Sequence, residues 1–395
     1  MADLDEVKGR LDAIVDDHAQ VLLAASHEIH GHPELGFEEH HAHDILTDVL
    51  SDAGLEVERG AYDMDTAFVA RAGSSGPTVA VLCEYDALPV IGHACGHNII
   101  GTAGIGAGIA AAKLAEELGG RVVILGTPAE EGGGGKVLLA ERGALDGVDA
   151  AMMVHPAGLD LPSFGAIAIQ QVQVTYHGKA AHAAAAPQAG RNALDAAVLG
   201  YVNVAALRQH IRPDERIHGI FTEAGDAPNV VPERAGALWY VRSPTLRRLE
   251  KLKARVMACL QAGAEAAGCT MEHRWIDPAY ADLVDIDPFI DLYRANAARV
   301  GRTLADPAVV GHVVGSTDMG NVSHLVPSIH PMIAVSPPTV AIHTADFAAY
   351  AVGPDGDRAV IDGAKALAST VADLWLRPDA LSEITSAFAE ATASA

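Results

Sequence analysis

The order of strand-like and helix-like runs constrains this chain most. Short apolar runs at 55–59, 67–72, 78–83, 121–126 and 150–154 read as strands. Helical spacing of apolar residues marks 4–30, 37–53, 98–118 and 135–142. Strands interleaved with helices predict a mostly parallel sheet covered on both faces, an α/β fold. From residue 167 the pattern changes to strand 167–176, helix 191–210, strands 216–223 and 235–242, helix 244–267 and strand 270–276. That order predicts an open-faced α+β sandwich of ferredoxin-like type. Helix 287–301, strand 328–335 and helix 353–376 then resume the first pattern. A chain of 395 residues is too long for one ordinary core. The expected organisation is one α/β domain in two parts, 1–166 and 281–395, with 167–280 inserted as a domain of its own.

Charge narrows the partners. The 51 acidic residues exceed the 27 basic ones, giving a net charge of −24. That excludes nucleic acid and anionic membranes as expected partners. Met1–Arg10 is polar and charged, not a secretory leader. The longest apolar stretch, 99–112, falls short of the ~20 residues a membrane span needs. The expectation is a cytoplasmic protein. Cys83, Cys95, Cys259 and Cys269 show no framework spacing and are expected to be reduced.

In open α/β sheets, sites form at the carboxyl ends of strands. Four such places here carry ligand-type residues. The run 78–83 leads into Glu84, Asp86, His93, Cys95 and His97, and 121–126 leads into Glu130 and Glu131. His155 follows 150–154, and His343 lies past the last strand. A thiolate and an imidazole two residues apart can reach one metal ion, and a thiolate can bridge two. Each residue also has a structural reading alone: a hydrogen-bonded histidine, a solvated first helical turn for Glu130-Glu131, a small buried hydrophobe for Cys95. Their shared placement favours a metal.

Other motifs fail. Gly132–Lys136 is not a phosphate loop, because Val137 stands where Ser or Thr is needed and Glu130 where the first glycine is needed. Gly101, Gly104, Gly106 and Gly108 lack dinucleotide-binding spacing, and no Gly-x-Ser-x-Gly elbow occurs. His27-Glu-Ile-His30 is one residue short of the zinc-protease helix motif. The early cluster of His27, His30, His32, His40, His41 and His43 reads as structural or surface.

Segments spread over nearly the whole chain then match a known family. They are His30-Gly-His-Pro-Glu-Leu35, Glu84-Tyr-Asp-Ala-Leu-Pro89, Gly92-His-Ala-Cys-Gly-His-Asn98, Thr127-Pro-Ala-Glu-Glu131, His155-Pro156, Gly178-Lys-Ala-Ala-His182, Asn229-Val-Val-Pro232, Gly315-Ser-Thr-Asp-Met319 and His343. The chain resembles the dinuclear-metal aminoacylase/carboxypeptidase family of metallopeptidases and amidohydrolases. Within it, the chain is most similar to the aminobenzoyl-glutamate hydrolase and β-alanyl-dipeptidase sub-branch. The resemblance implies two divalent ions, zinc or manganese, in a zinc-peptidase-like catalytic domain. Cys95 would bridge them, with Glu131 and His343 completing one ion and His97 and His155 the other. Glu130 would be the general base, and Asp86 would orient a ligand imidazole. His182, on the inserted lid and dimerisation domain, would reach a neighbouring subunit's site and polarise the scissile carbonyl. Asn229 and Arg242 would hold the substrate, Arg242 at its carboxylate. Asn98 departs from the auxin-conjugate relatives, which have Asp there, and tilts substrate choice toward the aminobenzoyl-glutamate-like branch.

The expected activity is metal-dependent hydrolysis of an amide in a small N-acyl amino acid, dipeptide or aminobenzoyl-glutamate-like molecule, in a homodimer. Two other readings compete with it. A cysteine hydrolase would use Cys95 as nucleophile with His97 or His93 as base. It leaves Glu130, Glu131, His155 and His343 without a purpose. A catalytically silent metal-binding sensor has no need of Glu130.

Overall fold

The computed structural model describes residues 3–306 and 314–394. The chain divides into two compact units, one of Met1–Gly165 with Leu283–Ser394, the other of Ala166–Asp282. The first unit begins with α1 (Leu4–Gly31), α2 (His40–Asp52), β1 (Val57–Arg59), β2 (Phe68–Ala72) and β3 (Thr78–Cys83). It continues with α3 (His97–Leu118), β4 (Arg121–Gly126), α4 (Gly135–Glu141), β5 (Ala150–Met152), β6 (His155–Ala157) and β7 (Gly165–Ala166). The second unit holds β8 (Ala168–His177), α5 (Ala193–Leu207), β9 (Arg216–Glu223), β10 (Arg234–Ser243), α6 (Leu246–Ala266) and β11 (Thr270–Tyr280). The chain then returns through α7 (Asp287–Arg299), β12 (Val314–Gly315), α8 (Met319–Ser323), β13 (Ser328–Ile329), β14 (Met332–Ala334), α9 (Ala345–Tyr350), α10 (Pro354–Leu376) and α11 (Pro378–Ser394).

In the first unit six strands are ordered β1-β2-β4-β3-β5-β13. The pairs from β4 to β13 are parallel, and β1 and β2 form an antiparallel edge. Every residue of β3 is buried, which explains its unbroken apolar run: both faces of the sheet are covered. β3 and β4 pair in step, from Thr78 opposite Arg121 to Cys83 opposite Gly126. Residues after both strands therefore emerge at one edge, where the Thr127 N–H donates to the Cys83 carbonyl at 2.7 Å. Met152 of β5 lies opposite Val81, so His155 reaches that edge a few residues later.

α3 lies directly on the sheet. A Cβ on Gly108 would stand 2.3 Å from Ile124 Cγ1, and one on Gly104 would stand 2.6 Å from Cys83 Sγ. These glycines serve close helix–sheet packing, which is why they carry no nucleotide-loop spacing. α3 is longer than the apolar stretch read from the sequence. By length and composition it could cross a membrane, but 89% of its apolar window is buried inside the protein. It is the core helix of the unit. Behind it, Lys8 of α1 pairs with Asp373 of α10 at 2.7 Å, and Asn296 of α7 donates to the same carboxylate at 2.7 Å. Removing one partner of such a buried pair strands the other charge, at a cost of about 3–5 kcal/mol.

In the second unit the antiparallel order is β11-β8-β10-β9. Alternate residues of β8 are buried, as its alternating sequence predicts. Val172, Val174, Trp239, Leu249 and Val256 share the core between this sheet and its helices. Burying each aliphatic side chain there contributes about 1.5–3 kcal/mol.

Several elements differ from the sequence reading, three of them at length. The run 328–335 is two strands: β13 pairs with β5 and β14 with β6, and the chain breaks at His330-Pro331 between them. Pro331 has no N–H to continue a ladder. The helix expected from residue 37 begins at His40, because Phe37 has φ 66°. α11 has no counterpart in the sequence reading.

Candidate metal centre

Four chain segments converge at the carboxyl edge of the sheet. After β3, a turn carries Cys95 and then Gly96, whose φ is 78°, before His97 opens α3. A Cβ on Gly96 would stand 2.8 Å from Pro156, so glycine both permits the turn and lets Cys95 sit against the His155 segment. After β4, Ala129 takes φ 59° and aims Glu130 and Glu131. His343 has φ 63°, and its N–H donates to the Ala94 carbonyl at 2.8 Å. Left-handed backbone at non-glycine residues costs energy and collects at functional sites. Glu39 braces one of these turns. Its buried carboxylate accepts from the Ala129 N–H at 2.8 Å and from the Thr66 hydroxyl at 2.9 Å. Burial, followed by the charge of Asp86, pushes the Glu39 carboxyl up to about 7.

The side chains meet as two overlapping groups. Ligand atoms of Cys95, His97 and His155 lie within 4.8 Å of one another, as do those of Cys95, Glu131 and His343. Cys95 belongs to both. Its Sγ is 3.4 Å from His155 Nε2, and Glu131 Oε1 is 3.5 Å from His343 Nε2. All are buried except Glu131, which is partly covered, and His343, whose side chain is 49% exposed. Hydrogen bonds fix the rings. His155 Nδ1 lies 2.8 Å from the Pro156 carbonyl and can only donate to it, so Nε2 carries the lone pair. His97 Nδ1 lies 2.9 Å from Asp86 Oδ1, again leaving Nε2 to point inward. Asp86 Oδ2 also accepts the Glu131 N–H at 2.9 Å, so one carboxylate orients two segments.

The cluster fits divalent cations. His97 Nε2 and Glu131 Oε1 are buried without a hydrogen-bond partner. Burial, then Glu84, Glu131 and Asp318, push the Glu130 carboxyl well above its usual range, and burial with Glu131 does the same to the Cys95 thiol. Side chains alone thus disfavour these anions, and cations would restore them. Glu130 Oε2 stands 3.9 Å from His97 Nε2.

His182, Asn229 and Arg242 all lie in the second unit. His182 and Asn229 share one loop region: His182 bridges to Val230, and the Ala183 N–H donates to the Asn229 carbonyl at 3.0 Å. Arg242 is eight residues along β10 from Arg234, roughly 26 Å at the rise of a strand, and is not brought beside them. Asn98 is wholly buried, donating to Ser26 Oγ at 2.9 Å and the Ala351 carbonyl at 3.0 Å, so it ties helices together. His93 is buried and stacks on His30 at 6.0 Å between centroids. Of the early histidines, His32 and His41 form an exposed group with Glu28.

Sequence reasoning missed Lys136, Asp318, Glu39 and His330. Lys136 sits between Glu84 and Asp318, 2.5 and 2.6 Å from their oxygens. His330 is buried against the ring of His155, 5.2 Å between centroids. A charged residue read as buried was the one available signal for Lys136 and Glu39, and burial is not visible in an isolated Gly-rich loop or helix start.

A parallel-sheet α/β unit with thiol, imidazole and carboxylate side chains gathered at its strand ends has the donor set of a metallohydrolase. The chain belongs to peptidase family M20/M25/M40, whose family model matches residues 78–373. It is 37% identical over 402 residues to the Xaa-Arg dipeptidase of Mus musculus, covering 98% of this chain and 93% of that protein. It is 34% identical over 297 residues to a p-aminobenzoyl-glutamate hydrolase polypeptide of Escherichia coli, covering 69% of this chain and 61% of that one. In fold it is similar to a dinuclear metal-binding M20 peptidase from Bacillus subtilis, with TM-score 0.70 and 20% identity, covering 90% of this chain and 98% of that one. The protein is therefore a metal-dependent hydrolase of amide bonds in small molecules.

Proposed function

We propose that this enzyme cleaves dipeptides, first among them those ending in a cationic residue. The observation that carries amide hydrolysis is the convergence of two ligand groups on Cys95 with Glu130 beside them. The similarity to an Xaa-Arg dipeptidase over nearly the whole chain supports the substrate class. The net charge of −24 favours approach of a cationic substrate. Aminobenzoyl-glutamate is the second reading, supported by the shorter match to the Escherichia coli protein. A panel of Xaa-Arg, Xaa-Lys and neutral dipeptides, N-acyl amino acids and aminobenzoyl-glutamate decides. The cationic dipeptides are expected to show kcat/KM at least about tenfold higher, the worth of one charge-assisted contact. Faster turnover of aminobenzoyl-glutamate would reverse the assignment.

In this reading two ions would be held by Cys95, which belongs to both groups, with His97 and His155 on one side and Glu131 and His343 on the other. Zinc suits the thiolate, and manganese suits the carboxylates. Bound ions supply a water acidified to a pKa of about 7 and a Lewis acid for the carbonyl. Glu130 takes a proton from the attacking water and passes it to the leaving amine. Asp86 holds His97 and the Glu131 backbone in register. A Cys95 nucleophile is disfavoured, because burial pushes its thiol away from the reactive thiolate.

His182 Nδ1 accepts from the N–H groups of Ala184 and Ala185 at 3.2 and 3.1 Å, so the neutral ring carries its proton on Nε2. That N–H is the donor a developing oxyanion needs. His182 and Asn229 serve the site of a neighbouring subunit, and Arg242, near the end of β10, binds the substrate carboxylate. The dimer forms along β9, an edge strand whose Ile220 is 65% exposed. A His182→Ala variant is expected to lose about 10²–10³-fold in kcat with unchanged metal content. Mixing it with a Glu130→Gln variant should regain activity, because one mixed site is whole. Mixed dimers that stay as inactive as their parents would rule out a shared site.

A further inference from the structure

A third buried group adjoins the two that share Cys95: ligand atoms of Glu84, His97 and Glu130 also lie within 4.8 Å of one another. Glu84 follows β3 directly, is fully buried, and has no part in the roles above. Lys136 Nζ stands 2.5 Å from its Oε1, and Lys136 is itself fixed by Asp318, at 2.6 Å through Nζ and at 2.9 Å through its backbone N–H. One oxygen of Glu84 is therefore anchored. The other, Oε2, makes no hydrogen bond and lies 3.6 Å from His97 Nε2, which makes none either. A separation of 3.6 Å is too long for a hydrogen bond between them. Asp86 holds Nδ1 of the His97 ring, so Nε2 is the ring atom that faces the carboxylate oxygen. Donors about 2.0–2.2 Å from one shared ion stand roughly 3.0–3.6 Å apart, which matches this spacing.

We propose that Glu84 is a protein ligand of the ion held by His97 and His155, and that Lys136 is the anchor that presents its free oxygen. The proposal rests on the ligand assignment above and adds one carboxylate to it. The ion at His97 then has four protein donors. The other has Cys95, Glu131 and the half-exposed His343, so the two bind with unequal affinity.

The test is titration of metal-free protein with cobalt(II), followed by visible absorption and by bound-metal analysis. The unaltered protein is expected to fill in two steps. In Glu84→Gln the tighter step should weaken by more than about 100-fold, beyond the 10–100-fold that losing an outer partner costs. The cobalt bands should also intensify as coordination number falls. Lys136 keeps Asp318 as its partner in this variant, so no buried charge is stranded. A Glu84→Gln titration and spectrum identical to the parent overturns the proposal. His97→Ala run alongside separates the failures. If it too keeps both steps, the ligand assignment falls and this proposal with it; if it loses one while Glu84→Gln loses none, only Glu84 falls. Should Glu84→Gln not fold, Glu84→Asp carried through the same cobalt titration decides. The shorter side chain is expected to weaken the tighter step and shift the cobalt bands, and a titration and spectrum identical to the parent overturn the proposal.

Discussion

Chelation abolishes amide hydrolysis by this protein, and added zinc, manganese or cobalt restores it. The expectation follows from the crowding of Cys95, His97, Glu131, His155 and His343 into two groups sharing a sulfur. None of these side chains is arranged to attack a carbonyl on its own. Burial pushes the thiol up, and both buried imidazoles have Nδ1 committed and Nε2 pointing inward. Without cations, the apparatus lacks both its nucleophile and its electrophile. The measurement is turnover of a dipeptide after exhaustive dialysis against a chelator, with bound metal counted in the same sample. Activity that persisted at a metal content near zero would remove the metallohydrolase mechanism and return Cys95 to consideration as nucleophile. The metal that restores the highest kcat at equal occupancy identifies the catalytically preferred ion.

Replacing Glu130 with glutamine lowers kcat by about 10²–10⁴-fold, the usual worth of a positioned general base. Metal content and KM should stay close to those of the parent, because Glu130 stands 3.9 Å from His97 as a neighbour of the ligand set and the amide keeps its shape. Its environment suits that role. Burial and the surrounding carboxylates give it a strong hold on a proton, which a base needs when it must first take one and then give it up. The check is steady-state kinetics with bound metal measured in parallel. Unchanged turnover would take Glu130 out of the reaction, and lost metal would make it a ligand instead.

Most of the side chains gathered at the centre were legible because they follow strands directly. Glu84, Glu130 and His155 each come within a few residues of an apolar run, and strand ends are where an α/β sheet places chemistry. Cys95 and His97 were visible by their spacing. Lys136 and Asp318 were not readable as partners, since 182 residues separate them and only the fold makes them touch. The loop of glycines before Lys136 read as a failed phosphate motif and hid a buried cation. In the fold, long periodic segments such as α1 and α6 were plain, whereas 328–335 looked like one strand. Its two halves pair with different neighbours, a tertiary fact that an apolar run cannot encode. Phe37 shortened α2 by adopting a backbone angle that its side chain gives no reason to expect.

The proposed ligands bracket the whole second unit in sequence, with Cys95 and His155 before it and His343 after it, and the His343 N–H is bonded to the Ala94 carbonyl. Bound ions therefore act as a removable cross-link around a long loop. Closing such a loop once restricts the unfolded chain for little extra cost per added residue, so a large insertion is tolerated. Loss of the ions would do more than stop catalysis: it would remove one closure of that loop and leave the pairing of β5 with β13 and of β6 with β14 to hold it, so resistance of the first unit to unfolding would depend on the concentration of free metal.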